Sequence, residues 1–434
     1  MSGAVARYLR SFTGFSRDAR LFLLTTIAFG AATSLYWIDF NLYLGAIGID
    51  PTTISWLIVA SELAGVVVAL PASALSDRYG RRAVMAGGMV LVALALLAFL
   101  PGQLPLLFVG VVMLGAGSQA VYVVQVPYIA EHTAPEQRNE YFSTWAAIGN
   151  LTALVAALAG GAIATGLASS FNLGAAAAPY QILLSGVAIL GVLSVATIWL
   201  LSSDRPAPGR VHSPGRGRFG IQISDRRLFL RLLLPGFLTS LGAGQLIPFL
   251  NIFVQQKFSL GLAAVNAVFA ITSLGTTLAI LAQPALARRF GRIGSIVLVQ
   301  GSSIPFLVVL GFSPVLWTVV IAMTVRNSLM NAGSPIFDAF AMGRVSAAER
   351  ATLSAGMTML WALGWTIAPI YYGQLQQHLG FTAGYAVDFV TIIVLYTVAT
   401  SLLWHWFRGT DRTVAIEAVI APVPVEAPVP FEHA

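Results

Sequence analysis

Cysteine does not occur in the 434 residues, so disulfides, thiolate metal sites and iron–sulfur ligation are excluded. The five histidines (His132, His212, His378, His405, His433) are scattered with no H-x-x-x-H pair, and neither a metal nor a cofactor is expected. Charged side chains make up only 9% of the chain, against roughly 25% in a soluble domain. That is too few to cover a soluble surface, which excludes a soluble enzyme. Lysine is nearly missing too: Lys257 stands alone, and the net charge of +7 rests on arginine. What fills the chain instead is apolar, 57% of all residues. Such a chain reads as a polytopic α-helical membrane protein, because lipid forces the backbone to satisfy its own hydrogen bonds. A transmembrane β-barrel would show short alternating segments, whereas the apolar runs here are about 20 residues long.

The runs predict twelve spans, at about 21–47, 53–75, 83–100, 104–130, 141–165, 180–201, 229–255, 262–286, 293–312, 316–341, 350–376 and 382–407. The first is too long for the core of a secretory peptide. An even number of spans puts both termini on one side. Sorted by loop, 22 of the 24 basic residues fall on that side, and only Lys257 falls in a loop opposite. The positive-inside rule makes the Arg-rich side cytoplasmic, in a multi-pass protein of the cytoplasmic (inner) membrane with both termini inside. It also accounts for the basic charge without nucleic-acid binding. The expected organisation is a cytoplasmic segment at 1–20, a six-helix bundle at 21–201, a cytoplasmic linker at 202–228, a second bundle at 229–407 and a disordered tail at 408–434.

The two bundles repeat one another. Asp77-Arg78-Tyr79-Gly80-Arg81-Arg82 between spans 2 and 3 matches Arg288-Arg289-Phe290-Gly291-Arg292 between spans 8 and 9. Ala134-Pro135-Glu136-Gln137-Arg138 after span 4 matches Ala347-Ala348-Glu349-Arg350 after span 10. Phe40-Asn41-Leu42-Tyr43 in span 1 resembles Leu250-Asn251-Ile252-Phe253 in span 7. The separations are 211, 212 and 210 residues, so a six-helix unit is duplicated.

At these residues the sequence resembles the major facilitator superfamily. Leu75-Ser76-Asp77-Arg78-Tyr79-Gly80-Arg81-Arg82 is similar to its loop 2–3 motif, with Ser73 where the first glycine usually stands. Pro127-Tyr128-Ile129-Ala130-Glu131 followed by Arg138 is similar to the end of its fourth helix and the next loop. Two departures from its drug/proton exporters stand out: no arginine occurs in 109–119 of helix 4, and no proline in 145–161 of helix 5. The resemblance implies two pseudo-symmetric six-helix bundles around a cavity lined by helices 1, 4, 7 and 10. It also implies that Asp77, Arg78, Gly80, Arg81, Glu131 and Arg138 latch the halves in an outward-open state.

A charge inside a span costs several kcal/mol unless paired or wet. Few exist: Asp39 in span 1, Glu62 in span 2, Arg326 and Asp338 in span 10, and Asp388 near the start of span 12. At about 1.5 Å per residue, Asp39, Glu62 and Arg326 share a depth of some 12–15 Å. Arg326 cannot deprotonate and needs an anion: Asp39, Glu62 or an acidic substrate. Asp39 with Arg326 is the expected charged centre. Asn327, Asn331, Ser334 and Asp338 continue one polar face of span 10, set either to the cavity or to another helix. Tyr36 and Tyr43, Gln119 and Tyr122, Gln245 and Asn251, and Trp361 and Trp365 complete an amphiphilic, aromatic-walled candidate cavity.

The function expected is secondary transport by alternating access: proton-coupled efflux of a small amphiphile by a monomer in the lipid bilayer. Sugar or organic-acid uptake, or lipid flipping, is the alternative on the same fold. A membrane enzyme would need a catalytic cluster, and apart from Glu432-His433 in the tail, His132 beside Glu131 is the sole adjacent pair. A sensor would carry a folded soluble domain. No Gly-Lys-Ser/Thr phosphate loop occurs, so the chain has no ATPase signature.

Overall fold

The computed structural model describes residues 15–134, 137–202, 223–275, 292–346 and 349–408. Most of the expected segment at 1–20, linker at 202–228 and tail at 408–434 lies outside the described residues, as does the Arg288–Arg292 motif apart from Arg292 itself. Among the described residues no strand occurs.

The first bundle holds α1 (Arg17–Ala46), α2 (Pro51–Tyr79), α3 (Arg81–Phe99), α4 (Leu104–His132), α5 (Arg138–Ser170) and α6 (Ala178–Ile198). The second opens with α7, split into α7a (Arg226–Leu246) and α7b (Leu250–Phe258) by a 3₁₀ turn at Ile247–Phe249. Then come α8 (Leu262–Gly275), α9 (Arg292–Phe312) and α10 (Leu316–Met342). Arg350–Phe407 follows without a loop but leaves helical geometry at Gly380 (φ 69°, ψ −176°), which makes two helices, α11 (350–379) and α12 (381–407). Eight described helices are long and apolar enough to cross a membrane, with Thr352–Phe407 counted as one; Leu262–Gly275, Ile296–Phe312 and Leu316–Met330 are shorter apolar stretches.

Local chemistry sets the ends. Ser16 accepts from the Ala19 N–H at 3.1 Å, and α1 starts at Arg17, four residues ahead of the apolar run. Asp50 accepts from the Thr53 N–H at 3.0 Å with Pro51 in the first turn. Asp225 caps α7a by accepting from Arg227 and Leu228 at 2.8 and 3.1 Å, so the linker ends before the expected residue 228. Gly80 turns α2 into α3 at φ 95°, a conformation that disfavours any side chain. The expected gap at 377–381 shrinks to Gly380 because one glycine at positive φ suffices to turn the chain.

Small residues let the helices of each bundle approach. A Cβ on Gly88 of α3 would stand 2.6 Å from the Gly117 carbonyl of α4. Large apolar side chains such as Leu70 (82% exposed) and Met359 (74%) face outward, as lipid permits and water does not. One apolar core runs through both bundles, and a smaller one around Phe229, Ile296, Leu353 and Phe407 closes the Arg-rich end of the second.

Candidate functional site

The bonds that join the bundles gather at the end opposite the Arg-rich loops. Asn41 of α1 donates to the Pro248 carbonyl at 2.6 Å, and Asn251 of α7b donates to the Ile38 carbonyl of α1, also at 2.6 Å. These asparagines are the matched pair of the sequence repeat. Each amide reaches a carbonyl one helical turn before its counterpart. Asn251 also accepts the Ile252 N–H at 2.8 Å, so both ends of its amide are used. Around this clasp, Gln255 donates to the Tyr180 hydroxyl at 2.5 Å. Thr52 of α2 donates to the Gly373 carbonyl at 3.3 Å and bonds the Gln377 side chain, both in α11. A cavity of about 400 Å³ at this end is lined by Asn41, Tyr180, Gln255 and Gln376, among others.

Asp39 sits beside the clasp, 1% exposed. Its Oδ1 accepts from Asn266 of α8 at 2.7 Å, and its Oδ2 has no partner among the described residues. The bond crosses from one bundle to the other. Gly161 of α5 admits it: a Cβ there would lie 3.0 Å from that of Asn266. Glu62 lies apart, in a small cavity of about 40 Å³ with Tyr36, Trp37, Ser61 and Pro248.

Arg326 is 2% exposed and points into the second bundle. Its Nη2 donates to the Tyr396 hydroxyl of α12 at 2.9 Å, its Nη1 donates to Asn327 at 3.1 Å, and the guanidinium lies 5.5 Å over the Tyr396 ring. It lines a cavity of about 240 Å³ with Gln300, Asn327, Asp338, Trp361 and Tyr396. The expected pairing of Asp39 with Arg326 is therefore absent among the described ion pairs: one is bound to Asn266, the other to Tyr396.

At the Arg-rich end, Arg81 contacts Asp77 at 3.0 Å and Glu131 at 3.2 Å, and donates to the Ser76 hydroxyl at 2.7 Å. These contacts tie α2, α3 and α4 of the first bundle together. Arg78 lies over the Tyr79 ring at 5.3 Å. The side chains of Arg138 and Asn331 lie outside the described residues. In the second bundle, Glu349 accepts from the Ser224 N–H and hydroxyl at 2.6 and 2.7 Å and from the Ser346 hydroxyl at 2.7 Å. Those bonds, Ser224's backbone bond first, hold its pKa down to about 2.

Several expected cavity residues stand elsewhere. Tyr43 is fully buried, its hydroxyl donating to the Phe99 carbonyl at the end of α3 at 3.1 Å. Gln119 packs at the α2–α4 contact beside Gly65. Gln245 is buried, its Oε1 without a partner among the described residues. Trp365 faces Trp37 across the bundle interface at 6.5 Å. Tyr122 does line a cavity of about 260 Å³ in the first bundle, with Gln125 and Trp145. Asp388 is fully buried and neither of its oxygens has a partner among the described residues. Residues not singled out from sequence include Asn266, Tyr396, Gln300 and Asn41. For Asn41 a signal existed, since the repeat aligns it with Asn251.

The family model of the Major Facilitator Superfamily matches residues 22–369. Comparison with curated proteins finds no significant match. Among solved structures, the nucleoside transporter NupG superposes with a TM-score of 0.73 at 14% identity, covering 89% of this chain and 99% of its own. A D-xylose–proton symporter gives 0.67 at 13% identity, covering 92% and 97%. A bacterial homologue of the iron transporter ferroportin, in an inward-facing state, gives 0.69 at 14%, covering 90% and 98%. With two helical bundles, an internal repeat and a family match over most of its length, the chain belongs to the major facilitator superfamily.

Proposed function

We propose that this secondary transporter carries a small amphiphilic solute outward across the cytoplasmic membrane, in exchange for protons, as a monomer whose termini and Arg-rich loops are cytoplasmic. The observation that carries the reading is the Asp39–Asn266 bond. A titratable carboxyl of one bundle is held at the moving interface by an amide of the other. When the bundles part at this end, Asn266 withdraws and Asp39 meets water. When they close, Asp39 is again shut away from water, with one oxygen unpartnered among the described residues. Proton uptake and release are thereby tied to which end is open.

The clasp at the end opposite the Arg-rich loops, and the cavities reaching toward the Arg-rich end, support an inward-open state. In the opposite state Asp77, Arg81 and Glu131 act as the latch. Uptake uses the same states in reverse.

The test is proton movement in proteoliposomes loaded with a pH-sensitive dye, challenged with a library of amphiphiles under an imposed pH gradient. Compound-dependent proton flux should appear with the native chain and vanish in Asp39→Asn. Undiminished flux in Asp39→Asn would shift the proton role to Glu62 or Asp388, and a protein that moves compounds without protons would remove coupling. The sign of compound movement relative to the gradient decides efflux or uptake. Labelling of a single cysteine placed at Ser213 reports the side of the linker against a background free of cysteine.

A further inference from the structure

The second bundle holds a buried cation, Arg326, with no anion beside it among the described residues. Between residues 229 and 407 the sequence contains three carboxylates, Asp338, Glu349 and Asp388. Glu349 is occupied by Ser224 and Ser346 outside the helices. Asp388 lies two turns before Tyr396 on α12, beside Tyr372 and Tyr385. Asp338 follows Arg326 by twelve residues on α10, about 18 Å of rise. It is exposed, at the Arg-rich mouth of the cavity. The segment 276–291 and residues 331–336 contain no acid at all. From the first bundle, Asp39 is bound to Asn266 and Glu62 lines a separate cavity. Among the described residues Arg326 thus meets only neutral groups, the Asn327 amide and the hydroxyl and ring of Tyr396. A permanently charged guanidinium left without a counter-ion in a low dielectric is costly, and an incoming anion removes the cost.

The cavity also shows how an anion would be received. Among the described residues Arg326 Nε is buried with no acceptor, and the Gln300 side-chain oxygen is buried with no donor. Both residues line the same space. The remaining wall is apolar: Phe237, Met330, Phe337, Leu360 and Trp361. At about 240 Å³ the space is below the usual range of ligand pockets, which limits the guest to a small molecule.

We infer that this cavity binds a small amphiphilic organic oxyanion, a carboxylate or a phosphate monoester, whose charged end sits on Arg326 and whose apolar body lies toward Trp361. The Gln300 oxygen prefers a guest that also offers a hydroxyl or N–H. The inference deepens the transport reading by naming a substrate class. It rests on that reading only for the guest's place in a cycle; binding itself is independent of transport. Asp338 at the mouth repels anions weakly because water screens it, and it favours a carboxylate over a phosphate monoester, whose charge approaches about −2 at neutral pH.

Binding to the purified full-length chain is read by thermal shift and titration with matched probes: benzoate against benzamide, hexanoate against hexanamide, and phenyl phosphate against phenol. The acids should raise the unfolding midpoint and their neutral twins should not, and the better of the carboxylate and phosphate arms identifies the headgroup. Arg326→Gln should weaken acid binding at least tenfold, while Arg326→Lys keeps the preference for acid over amide. Gly236 lines the cavity and a Cβ there meets open space, so Gly236→Leu should fill it and block the acids even if Arg326→Gln does not fold. Equal binding of acids and amides, acid binding unchanged in Arg326→Gln or Gly236→Leu, or no acid binding at all overturns the inference. Loss of acid binding with proton-driven flux of a neutral compound intact leaves the transport reading standing. Acid binding without any flux does the reverse.

Discussion

The two bundles descend from one unit, yet they use their buried charge differently. In the first, Asp39 faces outward from its bundle and accepts a bond from the other. In the second, Arg326 turns inward to Tyr396 and a cavity of its own. The contrast extends to packing. In the first bundle α2 and α4 meet backbone to backbone, since a Cβ on Gly115 would strike the Ser61 carbonyl. The matching pair in the second bundle, α8 and α10, meets through side chains: a Cβ on Gly275 would meet the Thr324 methyl, and Thr324 bonds Thr272 at 3.4 Å. Duplication kept the frame and the clasp. Divergence placed a titratable group at the interface of one copy and a fixed cation inside the other.

The packing contrast should give the largest effect. Gly115→Ala pushes against a backbone carbonyl that cannot rotate away, and should cost about 1–3 kcal/mol of stability. Gly275→Ala meets a side chain that can shift, and should cost clearly less. Unfolding midpoints of the two variants in one detergent measure this, and equal losses would erase the difference in packing.

The clasp should behave oppositely, with both halves alike. Asn41→Ala and Asn251→Ala each remove one neutral bond across the interface, worth about 1 kcal/mol, which moves the open–closed balance roughly fivefold. A single cysteine at Gln376, in the cavity at that end, should label faster from the side opposite the Arg-rich loops in both variants. A larger effect of Asn251→Ala is admissible only to the extent of its extra bond to Ile252. An effect confined to one variant would break the symmetry.

The smallest effect concerns Glu349. Its folded pKa of about 2 lies below the ordinary glutamate value. Its stabilising contribution is therefore complete above about pH 5 and fades as pH falls toward 2. Glu349→Gln should lower the unfolding midpoint slightly at pH 7, and the difference from the native chain should narrow at pH 3. A gap that stays constant with pH would assign the effect to packing.

The all-helical, membrane-spanning character of the chain could be read from the sequence because lipid imposes length and hydropathy directly. The pairing of Asp39 with Arg326 could not. Rise along a helix fixes depth, but each residue also turns by about 100°, and the azimuth is set by neighbours. Arg326 faces α12, where Tyr396 waits in a stretch of ordinary apolar character. Asn266 carries no signal in the sequence, because a single amide in the run Leu262–Gly275 has no pattern to mark it. Tyr43 shares a helix face with Asp39 by spacing, yet it is fully buried and its hydroxyl is taken up by the Phe99 carbonyl at the end of α3.

The two asparagines that hold the bundles together form an isologous contact, of the kind two identical subunits make about a twofold axis. Each unit offers one amide and one main-chain oxygen, and takes the same from its partner. Because the acceptors are peptide oxygens, the contact is indifferent to the side chains at Ile38 and Pro248, which are free to differ. Two copies of either half, set about the same axis, would present donor to acceptor in the same way. The fused chain thus carries inside itself the interface of a homodimer, and that is why the rest of each half could specialise without loosening the joint between them.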